Sequence, residues 1–318
     1  MKVSAIVPTL DNERTLGRLL DSLAAQAWDG EVETICVDGG SRDGTLRVAA
    51  EHGARVVGNP LRNEEAARAI GVEAATGELV LLLDADNVLP ADDWLRRLVD
   101  ALALAPDVVA ADSLFHEWRR GDTPVVRLCA LMGGTDPLAV ELGWADRWAW
   151  HLDRWTGMPV EVEDAGDALL VRVDPDRPPP LGSNGFLVRR DALLATQYRP
   201  FVHSDVAGDL AAAGYRFARV KQGVVHDYAP DLSTYFAKAR RRARRTAARV
   251  PAQRRGYRPT RARLVPAVAA AATQVIPLAH AAQGFRRRPD PAWALYPLLF
   301  DLTLAAYALE FARARRTR

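Results

Sequence analysis

One short stretch, Leu79 to Asn87, constrains the fold of this chain more than any other part of its 318 residues. Its first five residues are apolar, too few for a solitary helix and typical of a strand buried on both faces of a parallel sheet. The run stops on two carboxylates, Asp84 and Asp86, whose side chains leave the same face of an extended chain. Ligands of open α/β sheets bind at the carboxyl ends of the strands, which is where this pair is predicted to lie.

The two carboxylates admit two interpretations. Hard oxygen ligands at such a sheet edge suit Mg²⁺ or Mn²⁺. An ion of this kind keeps some of its coordinated water molecules and takes its remaining ligands from substrate phosphates. The alternative is a helix cap, because Asp-Asn often precedes a helix. A separate cap is available for the next helix, since Asp92 and Asp93 precede Trp94. The pair alone leaves both interpretations open.

Charge is distributed unevenly along the chain. The net charge is only +2, but residues 238–318 carry +16 and residues 1–237 carry −14. The length allows one large core, or one core with a small appendage. The two cysteines, Cys36 and Cys129, form no disulfide framework and fit a reducing compartment. We therefore expect a cytoplasmic protein in which an acidic body is joined to a basic tail.

Strands and helices are predicted to alternate in the first part of the chain. Apolar runs and helical spacing predict strands over 2–8, 32–37, 54–57 and 78–83, and helices over 12–26 and 64–75. This alternation indicates βαβ crossovers and a mostly parallel sheet.

The turn after the second predicted strand begins at Asp38 and reads Asp-Gly-Gly-Ser. It matches neither the dinucleotide motif GxGxxG nor the phosphate loop GxxxxGK[ST], so a dehydrogenase and a P-loop enzyme are both disfavoured. Asp38 is either part of a well-formed turn or an acceptor for the N–H or ribose hydroxyls of a nucleoside.

Three motifs, taken together, resemble the successive signatures of family 2 glycosyltransferases of the GT-A fold. They are Val7 to Glu13, Val37 to Thr45 and Leu83 to Asp86. The resemblance implies a nucleoside-diphosphate sugar of the UDP or GDP type, and a divalent cation, Mn²⁺ or Mg²⁺, held by Asp84 and Asp86 against the diphosphate.

The same resemblance assigns further residues to the donor. Those expected around the nucleotide are Pro8, Thr9, Glu13, Asp38, Arg68 and Asp84. One departure concerns the helix before the metal strand, where the family often has Arg-Asn and this chain has Arg68-Ala69. Arg68 is expected to keep its place near the nucleotide.

The second half of the chain is expected to supply a base and a third metal ligand. Residues 201–206 resemble the family's acidic motif, which implies that Asp205 takes the acceptor proton in an inverting transfer. The alternative is that Ser204 or Asp205 merely caps a helix. His226 matches the position that the family places next to the metal, and a neutral imidazole suits Mn²⁺ better than Mg²⁺.

A basic helix is predicted over 231–250. The resemblance implies that a basic residue of this segment closes on the diphosphate, and we assign that role to Arg241. The other cations suit an anionic membrane surface or a solvated face. Nucleic acid is disfavoured as a partner, because Tyr257 stands alone and no aromatic residues are interleaved with the cations for base stacking.

Two apolar segments follow, 264–285 and 291–312. Polar residues and prolines interrupt both, so we predict helices that lie in the inner leaflet rather than two spans. The alternative is a helical cap packed on the catalytic domain. A tryptophan-rich segment, 144–155, is expected to be the core of an insertion rather than a platform for sugars.

The predicted protein is α/β, with a GT-A domain over 1–228 and basic and apolar helices over 229–318. Within the domain, 1–110 is the nucleotide-binding half and 111–228 the acceptor half. The predicted activity is metal-dependent inverting transfer of a sugar to a hydroxyl or phosphate group of a lipid-linked acceptor. The protein is expected to be cytoplasmic and to lie at the inner face of the membrane, as a peripheral or monotopic protein. A retaining enzyme of the same fold and a sugar-phosphate nucleotidyltransferase are the alternatives, although residues 8–13 lack the glycine-rich basic loop expected of the latter.

Overall fold

The computed structural model describes residues 1–247, 254–255 and 260–316. By internal contacts these residues divide into two compact units. The first unit contains 1–114, 159–226 and 254–255, and the second contains 115–158, 227–247 and 260–316. This division places 115–158 with the C-terminal helices, whereas the predicted boundaries fell after residues 110 and 228; those boundaries stay a prediction.

The first unit is built on one mixed sheet. The strands are β1 (Val3–Thr9), β2 (Val32–Asp38), β3 (Arg55–Gly58), β4 (Leu79–Leu82), β5 (Asn87–Val88), β6 (Val108–Glu117), β7 (Val160–Asp164), β8 (Ala168–Val173), β9 (Phe186–Arg189) and β10 (Arg216–His226). Their order is β3-β2-β1-β4-β9-β6-β10-β8-β7, with β5 paired to β10. The four strands from β3 to β4 are parallel, and β9 is antiparallel to both β4 and β6. The predicted α/β class with a mixed sheet is confirmed.

The described helices follow the same chain order. They are α1 (Glu13–Ala24), α2 (Thr45–Glu51), α3 (Glu64–Ala74), α4 (Trp94–Ala101), α5 (Pro124–Leu131), α6 (Pro137–Glu141), α7 (Arg190–Leu194), α8 (His203–Ala212), α9 (Leu232–Ala247), α10 (Arg261–Ala272), α11 (Val275–Arg287) and α12 (Tyr296–Arg316). A 3₁₀ turn, Pro291–Leu295, precedes α12. Residues 248–250, where the predicted basic helix was to end, lie outside the described residues.

The core of the first unit follows directly from the apolar patterns. All four residues of β4 are buried, as expected of a strand covered on both faces. Helix α1 buries Leu16, Leu19, Leu20 and Leu23, which lie on one face of a helix. In α3, a Cβ added to Gly71 would lie 2.2 Å from the side chain of Ile6, so this helix approaches β1 too closely for a larger residue. Close packing of α3 fixes the position of Arg68 one turn earlier.

The second unit has its own core, formed mainly by aromatic residues. Tyr235 of α9 is buried together with Trp293, Tyr296 and Phe300. The hydroxyl of Tyr235 lies 2.8 Å from Thr303 Oγ1, which satisfies both buried hydroxyls. The core joins segments that are far apart in sequence, 115–158 and 227–316, around α9 and α12.

The two predicted apolar segments form α10, α11 and α12. Gln274, with a left-handed φ of 62°, separates α10 from α11. Among the described residues one helical stretch, Pro291–Arg316, is long and apolar enough to cross a membrane by length and composition, and 39% of its most apolar window is buried. Large apolar side chains nevertheless remain exposed on these helices, namely Val265, Val275, Leu278, Phe285, Leu298, Leu309 and Phe311.

Candidate functional site

The turn after β4 presents the two predicted metal carboxylates. The backbone N–H of Asp84 donates to Asn87 Oδ1 at 2.8 Å, and Asn87 N–H donates back to the Asp84 carbonyl at 2.9 Å. Asn87 Nδ2 in turn donates to Asn184 Oδ1 at 2.9 Å. Both asparagines are buried, so Asn87 holds the shape of the turn.

The part played by these two asparagines was not predicted from the sequence. The available signals were an Asn directly after the acidic pair and a Gly-Ser-Asn-Gly turn at 182–185, in which Asn184 has a left-handed φ of 54°. Their contact joins distant parts of the chain and could not be read from either signal alone.

His226 is brought to the same turn by the sheet. Strand β5 pairs antiparallel with the end of β10, in a register that places His226 opposite Asn87. His226 Nε2 lies 3.3 Å from Asp86 Oδ1. One ligand atom from each of Asp84, Asp86 and His226 lies within 4.8 Å of the others, so these three predicted ligands form a group that can hold a metal ion.

Arg68 forms an ion pair with one of these carboxylates. Its Nη2 lies 2.6 Å from Asp84 Oδ1, and its Nη1 lies 3.7 Å from Glu64. The side chain of Arg68 is 4% exposed. Burial alone would lower the pKa of Arg68, but the charges of Asp84 and Glu64 raise it. Arg68 is therefore a fixed positive charge beside the acidic turn.

Asp38 and Thr9 lie at matching positions of neighbouring strands. They are partners in the β1–β2 register, and Thr9 Oγ1 donates to Asp38 Oδ1 at 3.0 Å. The other oxygen of Asp38 accepts the backbone N–H groups of Gly40 and Ser41 at 2.8 and 2.9 Å. Burial alone would raise the pKa of Asp38, but these bonds and the Ser41 hydroxyl outweigh it and lower the pKa. In this structure the hydrogen bonds of Asp38 stabilise the turn after β2. This is the structural one of the two roles predicted for Asp38.

Glu13 and Pro8 border the same two loops. Glu13, at the start of α1, accepts the Gly44 N–H at 3.1 Å and lies 3.2 Å from Arg47 Nη2. Pro8 is partly buried at the end of β1, opposite Val37. The loops after β1 and β2 are thus held together by hydrogen bonds at the carboxyl ends of their strands.

Asp205 is buried in the first turn of α8 and does not cap that helix. Its two carboxylate oxygens accept the backbone N–H groups of Arg254 and Arg255, at 3.0 and 2.7 Å. Ser204 Oγ adds a hydrogen bond to the carbonyl of Arg255 at 3.0 Å. The acidic motif therefore tethers residues 254–255, a contact that the sequence analysis did not anticipate.

Arg241 lies on α9 in the second unit and is exposed. The next residue behaves differently, because Arg242 donates to Thr135 Oγ1 and to the hydroxyl of Tyr228, at 2.7 and 2.8 Å. It also lies 3.1 Å from Asp136. Of these adjacent arginines, Arg242 is partly buried and hydrogen-bonded, and Arg241 is exposed.

A second group of titratable side chains lies inside the second unit. Glu141 Oε1 accepts hydrogen bonds from His280 Nδ1 at 2.6 Å and from the Tyr296 hydroxyl at 2.5 Å, and His151 Nε2 lies 3.4 Å away. Burial would raise the pKa of Glu141, but the bonds from His151, His280 and Tyr296 lower it to about 2. Burial lowers the pKa of His151. The short separations are those of hydrogen bonds, so the group is a polar network of the interior.

The tryptophan-rich segment 144–155 is only partly core, as its burial shows. Trp155 is buried, whereas Trp144, Trp148 and Trp150 are partly exposed. Trp150 packs against Phe115 with ring centroids 6.0 Å apart.

Part of the chain matches a known protein family. The Glycosyl transferase family 2 model matches residues 4–135. Undecaprenyl-phosphate 4-deoxy-4-formamido-L-arabinose transferase of Pseudomonas fluorescens is 36% identical over 131 residues, 36% of this chain and 38% of that protein. An uncharacterised glycosyltransferase of Mycobacterium bovis is 36% identical over 107 residues, 34% of this chain and 46% of that protein. The chain thus spans less than half the length of these two curated relatives.

Among solved structures, the mannosyltransferase PcManGT of Pyrobaculum calidifontis, in complex with GDP-Man and Mn²⁺, is similar in fold. The TM-score is 0.54 at 20% identity, with 97% of this chain and 86% of that chain covered. A similarity at this level of identity establishes the fold. Residues 4–135 of this chain thus match glycosyl transferase family 2, whose members are transferase enzymes, and the chain has the GT-A fold.

Proposed function

We propose that this protein is a metal-dependent inverting glycosyltransferase, which moves a sugar from a nucleoside diphosphate of the UDP or GDP type to a phosphate or hydroxyl of a lipid-linked acceptor. The convergence of Asp84, Asp86 and His226 at the carboxyl end of β4 carries the proposal. The donor nucleoside would lie beside Thr9 and Asp38, the last residues of β1 and β2, and Glu13, the first residue of α1, at the same end of the sheet.

The three side chains fit a divalent cation. Ligands around Mg²⁺ at about 2.1 Å are spaced about 3 Å apart in an octahedral site, close to the 3.3 Å between Asp86 Oδ1 and His226 Nε2. Asp84, Asp86 and His226 would hold Mn²⁺ or Mg²⁺, and the bound cation would neutralise charge on the leaving diphosphate. The imidazole favours Mn²⁺ of the two. Arg68, fixed against Asp84, would orient that carboxylate and add a permanent positive charge.

Asp205 is the proposed base, and Arg241 the proposed cation at the diphosphate. Inversion by direct displacement needs one carboxylate within hydrogen-bond reach of the attacking oxygen. Because both oxygens of Asp205 accept backbone N–H groups of residues 254–255, the base role requires that the acceptor replace at least one of these bonds. Arg241 is exposed and could approach a phosphate; its guanidinium would form paired hydrogen bonds there.

A lipid-linked acceptor and attachment to the cytoplasmic face of a membrane complete the proposal. The name of the Pseudomonas relative includes undecaprenyl phosphate, a lipid phosphate. Exposed apolar side chains on α10, α11 and α12 lie in the most basic part of the sequence. Such a surface suits anionic headgroups, with about 1 kcal/mol for each Lys or Arg close to them.

The proposal is tested with the full chain and radiolabelled UDP- and GDP-sugars, Mn²⁺ and polyprenyl phosphate in mixed micelles. Transfer that needs both the metal and the lipid phosphate supports the activity. NMR of the anomeric proton of the product then reports inversion or retention. Product with the donor's own anomeric configuration would contradict the inverting mechanism and leave the family assignment intact.

A further inference from the structure

One arginine of the second unit has an unusual environment. Arg288 follows α11, and its guanidinium carbon lies 4.2 Å from the ring centroid of Trp150 and 4.5 Å from that of Trp118. Two indole rings therefore hold one cation, which we call the tryptophan clamp (Trp118, Trp150 and Arg288). Arginine stacks well on aromatic faces, because its guanidinium is planar and weakly hydrated.

The backbone around the clamp is fixed by several contacts. Arg288 N–H donates to the Gly284 carbonyl at 2.8 Å, and its own carbonyl accepts from Trp293 Nε1 at 3.1 Å. A Cβ added to Gly284 would lie 2.5 Å from the ring of Trp293, so this part of α11 is tightly packed. Arg287 Nη1 donates to the carbonyl of His151, next to Trp150, at 3.2 Å. The guanidinium of Arg288 is thus preorganised rather than mobile.

Several other arginines of this unit already have a carboxylate partner. The pairs are Arg119 with Asp227, Arg127 with Asp290, Arg242 with Asp136, and Arg240, Arg244 and Arg313 with Glu310. Arg288 is hydrogen-bonded to no side chain in the described part of the chain, and Glu117 acts on it only through its charge. Burial lowers the pKa of Arg288, which reflects the cost of partly desolvating an unpaired cation.

The surroundings indicate which anion would be bound. The guanidinium of Arg288 is partly exposed and presents N–H donors that match two phosphate oxygens. Along the same helix, Val275, Leu278 and Phe285 are 67%, 58% and 51% exposed. An anionic group joined to an apolar chain would satisfy both features at once.

We propose that Arg288, held by Trp118 and Trp150, recognises the phosphate of a lipid phosphate acceptor, whose hydrocarbon chain lies along the exposed apolar side chains of α11. This inference rests on the proposed function, because it names the residue that would select the acceptor. Lysine would not replace Arg288, since an ammonium offers no planar fork and stacks less well on indole.

The test uses the full chain and vesicles of phosphatidylcholine that contain polyprenyl monophosphate, uncharged polyprenol, or phosphatidylglycerol at the same charge density. Wild-type protein is compared with Arg288→Gln, Arg288→Lys and Arg286→Gln. The last removes a charge from an exposed neighbour and is the matched control. We expect Arg288→Gln and Arg288→Lys to lose at least tenfold in affinity for the monophosphate vesicles and less than threefold for the phosphatidylglycerol vesicles. Arg286→Gln should weaken binding to both anionic vesicles by less than threefold.

Three outcomes would overturn the proposal. They are equal effects of Arg286→Gln and Arg288→Gln, full retention of monophosphate binding by Arg288→Lys, and inorganic phosphate displacing the vesicles as well as the lipid phosphate does. Thermal melts of each variant guard against misfolding, since Arg288→Lys keeps the charge and most of the packing. A thermal shift with Mn²⁺ and UDP or GDP is measured in parallel. If that shift persists while the phosphate preference is absent, only the clamp assignment has failed; if the shift is absent in the wild type, the proposed function itself has failed.

Discussion

One carboxylate pair of the first unit and one carboxylate of the second unit have opposite surroundings. In the first unit Asp84 and Asp86 follow β4 and are partly exposed; Arg68 pairs with Asp84, and His226 Nε2 lies 3.3 Å from Asp86 Oδ1. In the second unit Glu310 is 3% exposed and is contacted by Arg240, Arg244 and Arg313. Carboxylates that remain partly exposed can take a cation, whereas a carboxylate surrounded by arginines only stabilises its own fold.

This comparison yields a general expectation for substitutions. Changes at the acidic turn of the first unit should reduce activity and leave stability nearly unchanged. Changes to the buried polar groups of the second unit should reduce stability and leave the activity of each folded molecule unchanged.

The largest expected effect is that of Asp86→Asn on turnover. Loss of one anionic metal ligand should reduce sugar transfer at least about 1,000-fold, while the melting temperature changes little, because Asp86 is partly exposed. Steady-state transfer at saturating Mn²⁺ and donor measures it. Asp92→Asn, a nearby exposed carboxylate outside the cluster, is the control and should keep full activity. Near-normal turnover of Asp86→Asn would contradict a role in catalysis for the acidic turn of the first unit.

Asp205→Asn should follow, with turnover lower by about 100-fold or more and donor binding retained, as for a lost general base. The matched control is Asp209→Asn on the same helix, whose carboxylate lies 2.8 Å from Arg254 Nη2. Equal losses of activity and of melting temperature in both variants would show that Asp205 only tethers residues 254–255.

Glu141→Gln tests the second unit. At pH 7 it should lower the free energy of unfolding by about 2–3 kcal/mol, because the pKa of Glu141 falls from 4.5 to about 2 on folding. This contribution of Glu141 to the free energy of unfolding is complete above about pH 4.5. It is lost as the pH falls towards 2, because the unfolded state binds more protons than the folded state in that range. Urea titrations at several pH values measure it, with Asp153→Asn, 62% exposed, as the control. An unchanged pH profile in the variant would contradict this account of the network.

Arg241→Gln has the smallest predicted effect. It tests the assignment of activity to the first unit and stability to the second, because Arg241 belongs to the second unit but is proposed to contact the donor diphosphate. We expect kcat/KM for the donor to fall about tenfold, as for one lost charge-assisted contact. Arg241→Lys should recover part of the loss. Full activity of Arg241→Gln would confine the donor site to the first unit.

The two units also differ in how far the sequence predicts them. Strands β1 to β4 and helices α1 and α3 lie within about two residues of their predicted positions, because period and local turn chemistry determine them. The resemblance to the family predicted that Asp84, Asp86 and His226 lie together. In the structure the pairing of β5 with β10 brings His226 to the two carboxylates.

The remaining features depend on contacts between distant parts of the chain. The division of the second unit into 115–158 and the C-terminal helices has no local signature, and neither has the bond between Asn87 and Asn184. The tether from Asp205 to residues 254–255 is a further example, because a carboxylate in the first turn of a helix is normally interpreted as a cap.

The most direct test of the metal site is electron paramagnetic resonance of Mn²⁺ bound to the full chain in the presence of UDP or GDP. We predict one bound Mn²⁺ per chain, with nitrogen coupling that disappears in His226→Gln and with binding lost in Asp86→Asn. Stoichiometric binding that survives in Asp86→Asn, or nitrogen coupling that survives in His226→Gln, would contradict the site on which the proposed function rests.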